Sequence, residues 1–364
     1  MRELRGDFRD IFNGFSVALD AKKLAVAFVG MLLTIGITAL AVWVIPVTFW
    51  SKVYNKVFAL HTLSPKALLA NIQPILYVIG FYLSLTAIWA YCGGVITRIA
   101  AINLTKDEGL ELHSAMAFGS KKWLSFWSPF IVCILGFLFF FICNVAGGLV
   151  GRIPYAGEIL LAIFLPLAIL SGFIMTFILI GSVFGFHMFL PTIGVEGSDS
   201  FDAMSRSFSY LYGRPWHYIF YCFLSKTYGI IAIAFVWVFG WLMLAWGLGS
   251  GALGLGFEKF KHLFGDIVYG FIREQAANEP ITYTIAGYII LIWMVIIIGF
   301  IFAYTLSYCF SSSTIIYLLM RKKVDEIEMK EVYEEKEDDD MSLPPIAGET
   351  KTEETKKEEP PKSG

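Results

Sequence analysis

Lys226 lies inside an apolar run from Trp216 to Trp246 and is the only lysine or arginine in it. A cation held in hydrocarbon is costly, and where one occurs it commonly serves a site and has an acidic partner. No Asp or Glu lies deep within any apolar run of this chain. Thr227 to Gly247 is by itself a span of roughly 20 residues, so Trp216 to Ser225 can occupy the interface while Lys226 extends its ammonium to water. The sequence favours that interfacial placement. A second polar stretch, Thr305, Ser307, Ser311, Ser312, Ser313 and Thr314, interrupts the run from Tyr283 to Met320. Such hydroxyls can line a wet cavity, but more often they bond back to their own helix or let two helices approach, and packing is the expectation. His187, the most embedded of the five histidines, is expected as a hydrogen-bonded core residue. Orientation separates the roles. Lys226, Ser307 and Ser311 to Ser313 around one cavity would indicate transport; against lipid, interface or packed helices they would indicate a structural role.

The remaining motifs carry less. Gly249 to Gly254 matches G-x-G-x-x-G but follows an apolar span instead of a strand, so a flexible or tightly turned exit from that span is expected. The histidines are scattered, no H-E-x-x-H occurs, and no nucleophile stands beside a base. The five cysteines all fall in apolar segments without C-x-x-C spacing, which makes packed, reduced thiols the expectation. No catalytic residue, metal or cofactor is assigned.

These residues need an apolar scaffold, and the composition supplies one. The chain is 57% hydrophobic and 16% charged, with a mean hydropathy of +0.67, far from a soluble domain. Continuous apolar runs exclude a β-barrel, whose strands alternate. The expected fold class is all-α: a polytopic membrane helix bundle of about six transmembrane helices, with amphipathic interfacial helices and a disordered acidic C-terminal tail. The spans are placed at Leu24 to Val47, Ile75 to Ile96, Trp123 to Leu149, Glu158 to Leu190, a fifth run ending at Trp246, and Tyr283 to Met320. The last three runs exceed the roughly 20 residues that a bilayer requires, so they must kink, tilt or project beyond it. Three regions follow: an amphipathic helix in 1–23, with no cleavable signal expected; a six-span membrane domain in 24–323; and the tail in 324–364. The tail carries 15 acidic residues and 6 lysines, net −9 against −2 for the chain, which leaves +7 for the body. With both termini inside, fourteen Lys and Arg face the cytoplasm and seven face outward, so the expected location is the cytoplasmic membrane with N- and C-termini cytoplasmic.

Three segments lead into spans in a similar way. A surface helix precedes Lys22 and Lys23, another precedes Lys121 and Lys122, and a third, Ser198 to Gly213, precedes Arg214 and Pro215. In the third, Phe201, Met204, Phe208 and Leu211 form an apolar face, Gly213 suits a left-handed cap, and Pro215 can open the next helix. The three suggest two-span modules, or else the common form of any span entered from a basic surface. The Ala203, Ser207, Gly213, Arg214 and Trp216 pattern resembles a group of uncharacterised bacterial polytopic membrane proteins. It is more distantly similar to the membrane domain fused to some glycerophosphodiester phosphodiesterases. The resemblance covers most of residues 10 to 335 and marks architecture; without a soluble phosphodiesterase domain it implies no such activity. The expected function is non-enzymatic membrane organisation or assembly of a partner complex. The alternative is a transporter or lipid-handling permease with a cytoplasm-facing cavity. Membrane lipids are the expected partners, with a possible protein partner on the acidic tail and no nucleic acid.

Overall fold

The computed structural model describes residues 4–44, 72–106, 109–261 and 281–333. Every regular element among them is helical. A 3-10 turn, Phe8–Asn13, leads through α1 (Gly14–Ala18) into α2 (Ala21–Val44). Then come α3 (Ile72–Thr105), α4 (Leu112–Lys121), α5 (Trp123–Val150), α6 (Ala156–Glu196), α7 (Ser200–Gly213), α8 (Pro215–Leu255), α9 (Phe257–Lys261) and α10 (Ile281–Val324). Six of these, α2, α3, α5, α6, α8 and α10, are long and apolar enough to cross a membrane. The protein is an all-α polytopic bundle. The 41 residues of α6 and of α8 correspond to about 61 Å of straight helix against a hydrocarbon core of roughly 30 Å.

Alternation along six long helices gathers the 3-10 turn, α1, α4, α7 and residues 325–333 at one end of the bundle, here the near end. Buried residues concentrate there, on α3 (Val95 to Leu104), α6 (Met188 to Val195) and α10 (Ala303 to Met320). Toward the far end the long helices expose Leu, Ile, Phe and Trp side chains, as a lipid-facing surface does. Helix α7 is wedged against α5 and α6 through Ala203, Ser207 and Tyr210, while Phe201 of its expected apolar face points outward. Phe208 lies over Gly181 of α6, where an added Cβ would be 2.7 Å from the ring, so small residues admit the helix that closely.

Several boundaries differ from expectation. The first segment is not one amphipathic helix, because the Asp10 carboxylate turns back to accept the N–H groups of Arg5 (3.1 Å) and Gly6 (2.7 Å). Thr105 to Glu108 matches the T-x-x-E pattern of a helix start, yet no helix opens at Thr105: its hydroxyl donates to Ala101 O at 2.8 Å in the last turn of α3. Ile99 to Ile102 and Leu104 are buried in that helical end. Gly213 is the last residue of α7 and is not left-handed; Arg214 (φ −139, ψ 64) makes the break, and Pro215 opens α8. The left-handed cap falls instead on Gly197 (φ 62), whose N–H donates to Ile193 O and closes α6. Gly249 to Gly254 is not a loop but the last turns of α8, where a continuous helix keeps its backbone groups paired. The chain remains helical across Pro166. Phe49 to Leu60 and Phe264 to Phe271, whose apolar residues recur at the spacing of interfacial helices, and the part of the tail from Glu334 on lie outside the described residues.

The two glycines make a direct comparison. At Gly197 a Cβ would sit 2.5 Å from the Tyr333 ring on a left-handed backbone, and that conformation alone costs a non-glycine residue about 1–2 kcal/mol. At Gly213 nothing lies within 4 Å and the backbone is helical. Gly197→Ala is expected to lower the thermal unfolding midpoint of the detergent-purified protein clearly, and Gly213→Ala to leave it unchanged or raise it.

Candidate functional site

Helices α6 and α8 both pack on α10. Between them lies a cleft of about 340 Å³. Helix α6 contributes His187, α8 contributes Cys222 and Lys226, and α10 contributes Cys309, Ser312 and Ser313. The Tyr308 hydroxyl fixes the walls by donating to Ser225 O at 2.9 Å, and its ring fills the space left by the missing side chain of Gly229. On the near side of Cys222, the Tyr218 hydroxyl donates to Phe184 O and joins α8 to α6. Tyr212 of α7 donates to Phe177 O at 2.6 Å and holds the same wall from outside. Ile230 on the cleft wall is exposed, as are Val183 and Phe184 of α6 and Phe223 of α8, each about one turn from His187 or Lys226, so apolar side chains face outward beside the cleft.

The candidate residues divide into two sets. Lys226, His187, Ser312 and Ser313 share the cleft. The expected hydrogen bond at His187 is absent: its half-buried imidazole lies 3.8 Å from the Phe186 ring and makes no hydrogen bond among the described residues. Ser312 and Ser313 donate to Cys309 O at 3.1 and 2.8 Å, so their hydrogens are used within α10. Ser307 and Ser311 are buried away from the cleft; Ser307 donates to Ala18 O at 2.8 Å and ties α1 to α10. Lys22 donates to Leu110 O at 2.8 Å, Lys23 is 0% exposed, and Lys121 and Lys122 occupy the end of α4 and the break after it. Along straight helices Lys226 stands about 43 Å from Leu255, and His187 about 43 Å from Glu158. That distance exceeds the roughly 30 Å of a hydrocarbon core, so both groups lie in the near-end part of helices longer than a span requires.

A polar network sets the near end. Glu196, closing α6, lies 2.7 Å from Arg206 and 3.7 Å from Arg321 and accepts the Tyr317 hydroxyl. Arg206 also meets Asp202 at 3.0 Å. Burial works to lower the Arg206 pKa, but its bond to Asp202 and the charges of Glu196 and Asp202 outweigh that and hold it above its ordinary value. Tyr210 donates to Asp325; burial first, then that carboxylate, push its phenol up, so it stays a neutral donor. Arg321 donates to Glu328 O (3.0 Å) and Glu331 O, and Arg98 to Gly194 O (3.0 Å) and Tyr333 O (2.8 Å). The Arg98 guanidinium also lies 4.5 Å over the Phe118 ring. Residues 325–333 are thereby strapped over α3, α6 and α10, and Met329 is buried. The partners of Arg98 lie 96 and 235 residues away, so no spacing signals them, whereas Arg321 takes carbonyls seven and ten residues on.

A second cleft, about 570 Å³, lies between α5 and α6 around the Ser171 hydroxyl, which donates to Asn144 Oδ1 at 2.7 Å; no motif or spacing marks it. Among the described residues no three His, Cys, Asp or Glu are grouped to hold a metal ion. The described cysteines are free thiols, with Cys143 and Cys309 exposed. Comparison with protein-family models, with curated proteins and with solved structures returns no match.

Glu196→Gln keeps the shape of the network but removes the carboxylate between two guanidiniums. The expected loss is about 2–3 kcal/mol of stability, the scale of a hydrogen bond to a charged group. It would be read as a lower unfolding midpoint and faster tryptic cleavage after exposed Lys330. Tyr210→Phe should cost less, about 1 kcal/mol.

Proposed function

We propose that the protein is a non-enzymatic integral membrane protein that handles membrane lipid through the cleft between α6 and α8. The observation that carries this is the convergence of Lys226, His187, Ser312 and Ser313, from three separate helices, on one cleft flanked by exposed apolar side chains. A sideways opening admits an amphiphile directly from the leaflet, so a cavity facing the cytoplasm is not required. A concave site with apolar walls and a few polar groups is the usual form of a small-ligand site. With the near end in the cytoplasm, as the lysine and arginine bias suggests, the cleft would serve the inner leaflet of the cytoplasmic membrane. The assembly role, in which a protein partner binds the acidic tail, is supported by the charge of that tail alone. The resemblance to the membrane domain of some phosphodiesterases fits a membrane part that works without that enzyme's chemistry.

Native mass spectrometry of the detergent-purified protein tests the reading. The wild type is expected to retain one lipid at energies that strip the detergent. Ile230→Trp, an exposed position on the cleft wall, should reduce that population strongly while leaving the unfolding midpoint unchanged. A wild type that carries no lipid under any mild condition would exclude the reading.

A further inference from the structure

The cleft is electrically unbalanced. Lys226 makes no ion pair or hydrogen bond among the described residues. Helices α8 and α10 contain no Asp or Glu. On α6 the acidic residues are Glu158 and Glu196, at its two ends; Glu196 is engaged by Arg206 and Tyr317 and stands about 14 Å along the helix from His187. Ser312 and Ser313 donate to Cys309 O and Tyr308 to Ser225 O, so these three hydroxyls have spent their hydrogens. Among the described side chains of the cleft, the groups left to donate inward by nitrogen are the Lys226 ammonium and the His187 imidazole. An ammonium with no acidic partner, set beside apolar walls, is stabilised most directly by an anion brought to it.

The surroundings select the kind of anion. Lys226 and His187 lie toward the near end of α8 and α6, while Val183 on α6 and Ile230 on α8 continue as exposed apolar surface toward the far end. We infer that the cleft binds the anionic headgroup of a phospholipid, with a phosphate oxygen against Lys226 and His187 and the acyl chains along the exposed faces of α6 and α8. This inference rests on the lipid-handling reading and specifies its ligand. A zwitterionic headgroup brings its own cation to the same place and satisfies Lys226 less well. An anion without chains leaves the flanking apolar faces unused.

The cleft contains its own reporter. Cys309 is exposed on its wall, and Cys143 is exposed in the second cleft, so one chain offers a test thiol and a control. The full-length protein would be placed in nanodiscs of phosphatidylcholine alone or of phosphatidylcholine with phosphatidylglycerol, and alkylation by N-ethylmaleimide followed at each cysteine by mass spectrometry. Phosphatidylglycerol is expected to slow Cys309 relative to Cys143 by about five-fold, the ratio that the attraction of one lysine for anionic lipid corresponds to. Lys226→Gln should abolish that lipid dependence and Lys226→Arg preserve it, with both variants matching the wild-type unfolding midpoint. Equal protection of Cys309 in both lipids, together with a lipid retained in native mass spectrometry, would overturn the anionic preference and leave lipid handling standing. No protection in either lipid and no retained lipid would overturn both. Full protection by inorganic phosphate in phosphatidylcholine nanodiscs would overturn the assignment to a lipid.

Discussion

Long apolar helices side by side in a membrane gain little by burying apolar surface against one another, because lipid tails are as apolar as the helices; close packing and polar contacts must hold them. In this protein those contacts are concentrated at the near end. Arg98 and Arg321 are charged and buried, and each takes backbone carbonyls from residues 325–333. Glu196 lies between Arg206 and Arg321 and receives Tyr317, which links α6, α7 and α10 in one group. Without the strap the two guanidiniums would be buried with too few acceptors, a costly state. The strap is thus part of the bundle's interior.

This arrangement divides the molecule. At the near end small residues let elements touch: Gly194 meets the backbone of Thr97 and Arg98, which allows Arg98 to reach Gly194 O. Toward the far end the helices turn large apolar side chains outward, and lipid is the solvent that such a surface suits. The cleft lies between these regimes. Its near side is closed by Tyr218 on Phe184 O, and its back by Tyr308 on Ser225 O.

Much of the scaffold was legible in the sequence. Six apolar runs give six long helices because lipid forces every backbone group to pair within its own segment. The excess length of the last three runs was also visible; these helices form walls of the cleft. Local rules failed where burial overrode them. Thr105 fits the start of a helix, but it is the last residue of α3, whose final turns are buried. Gly213 fits a left-handed cap, but the chain needed that turn at Gly197, where it brings α7 back onto α6.

The sequence by itself determined that Lys226 has no acidic partner within the spans and that hydroxyls cluster in the last one, since both are statements about composition along single helices. Only the tertiary structure decided which of them meet. His187, Lys226, Ser312 and Ser313 come from three helices and share one cleft, while Ser311, next to Ser312 in the chain, and Ser307, farther along the same helix, are buried elsewhere. The reason is geometric. A helix distributes successive residues around its axis, and which face meets a cleft depends on how its neighbours are rotated and pinned. Here the pins are Tyr308, Tyr218 and the Glu196 network, whose partners lie far apart in the chain and become neighbours only when it folds.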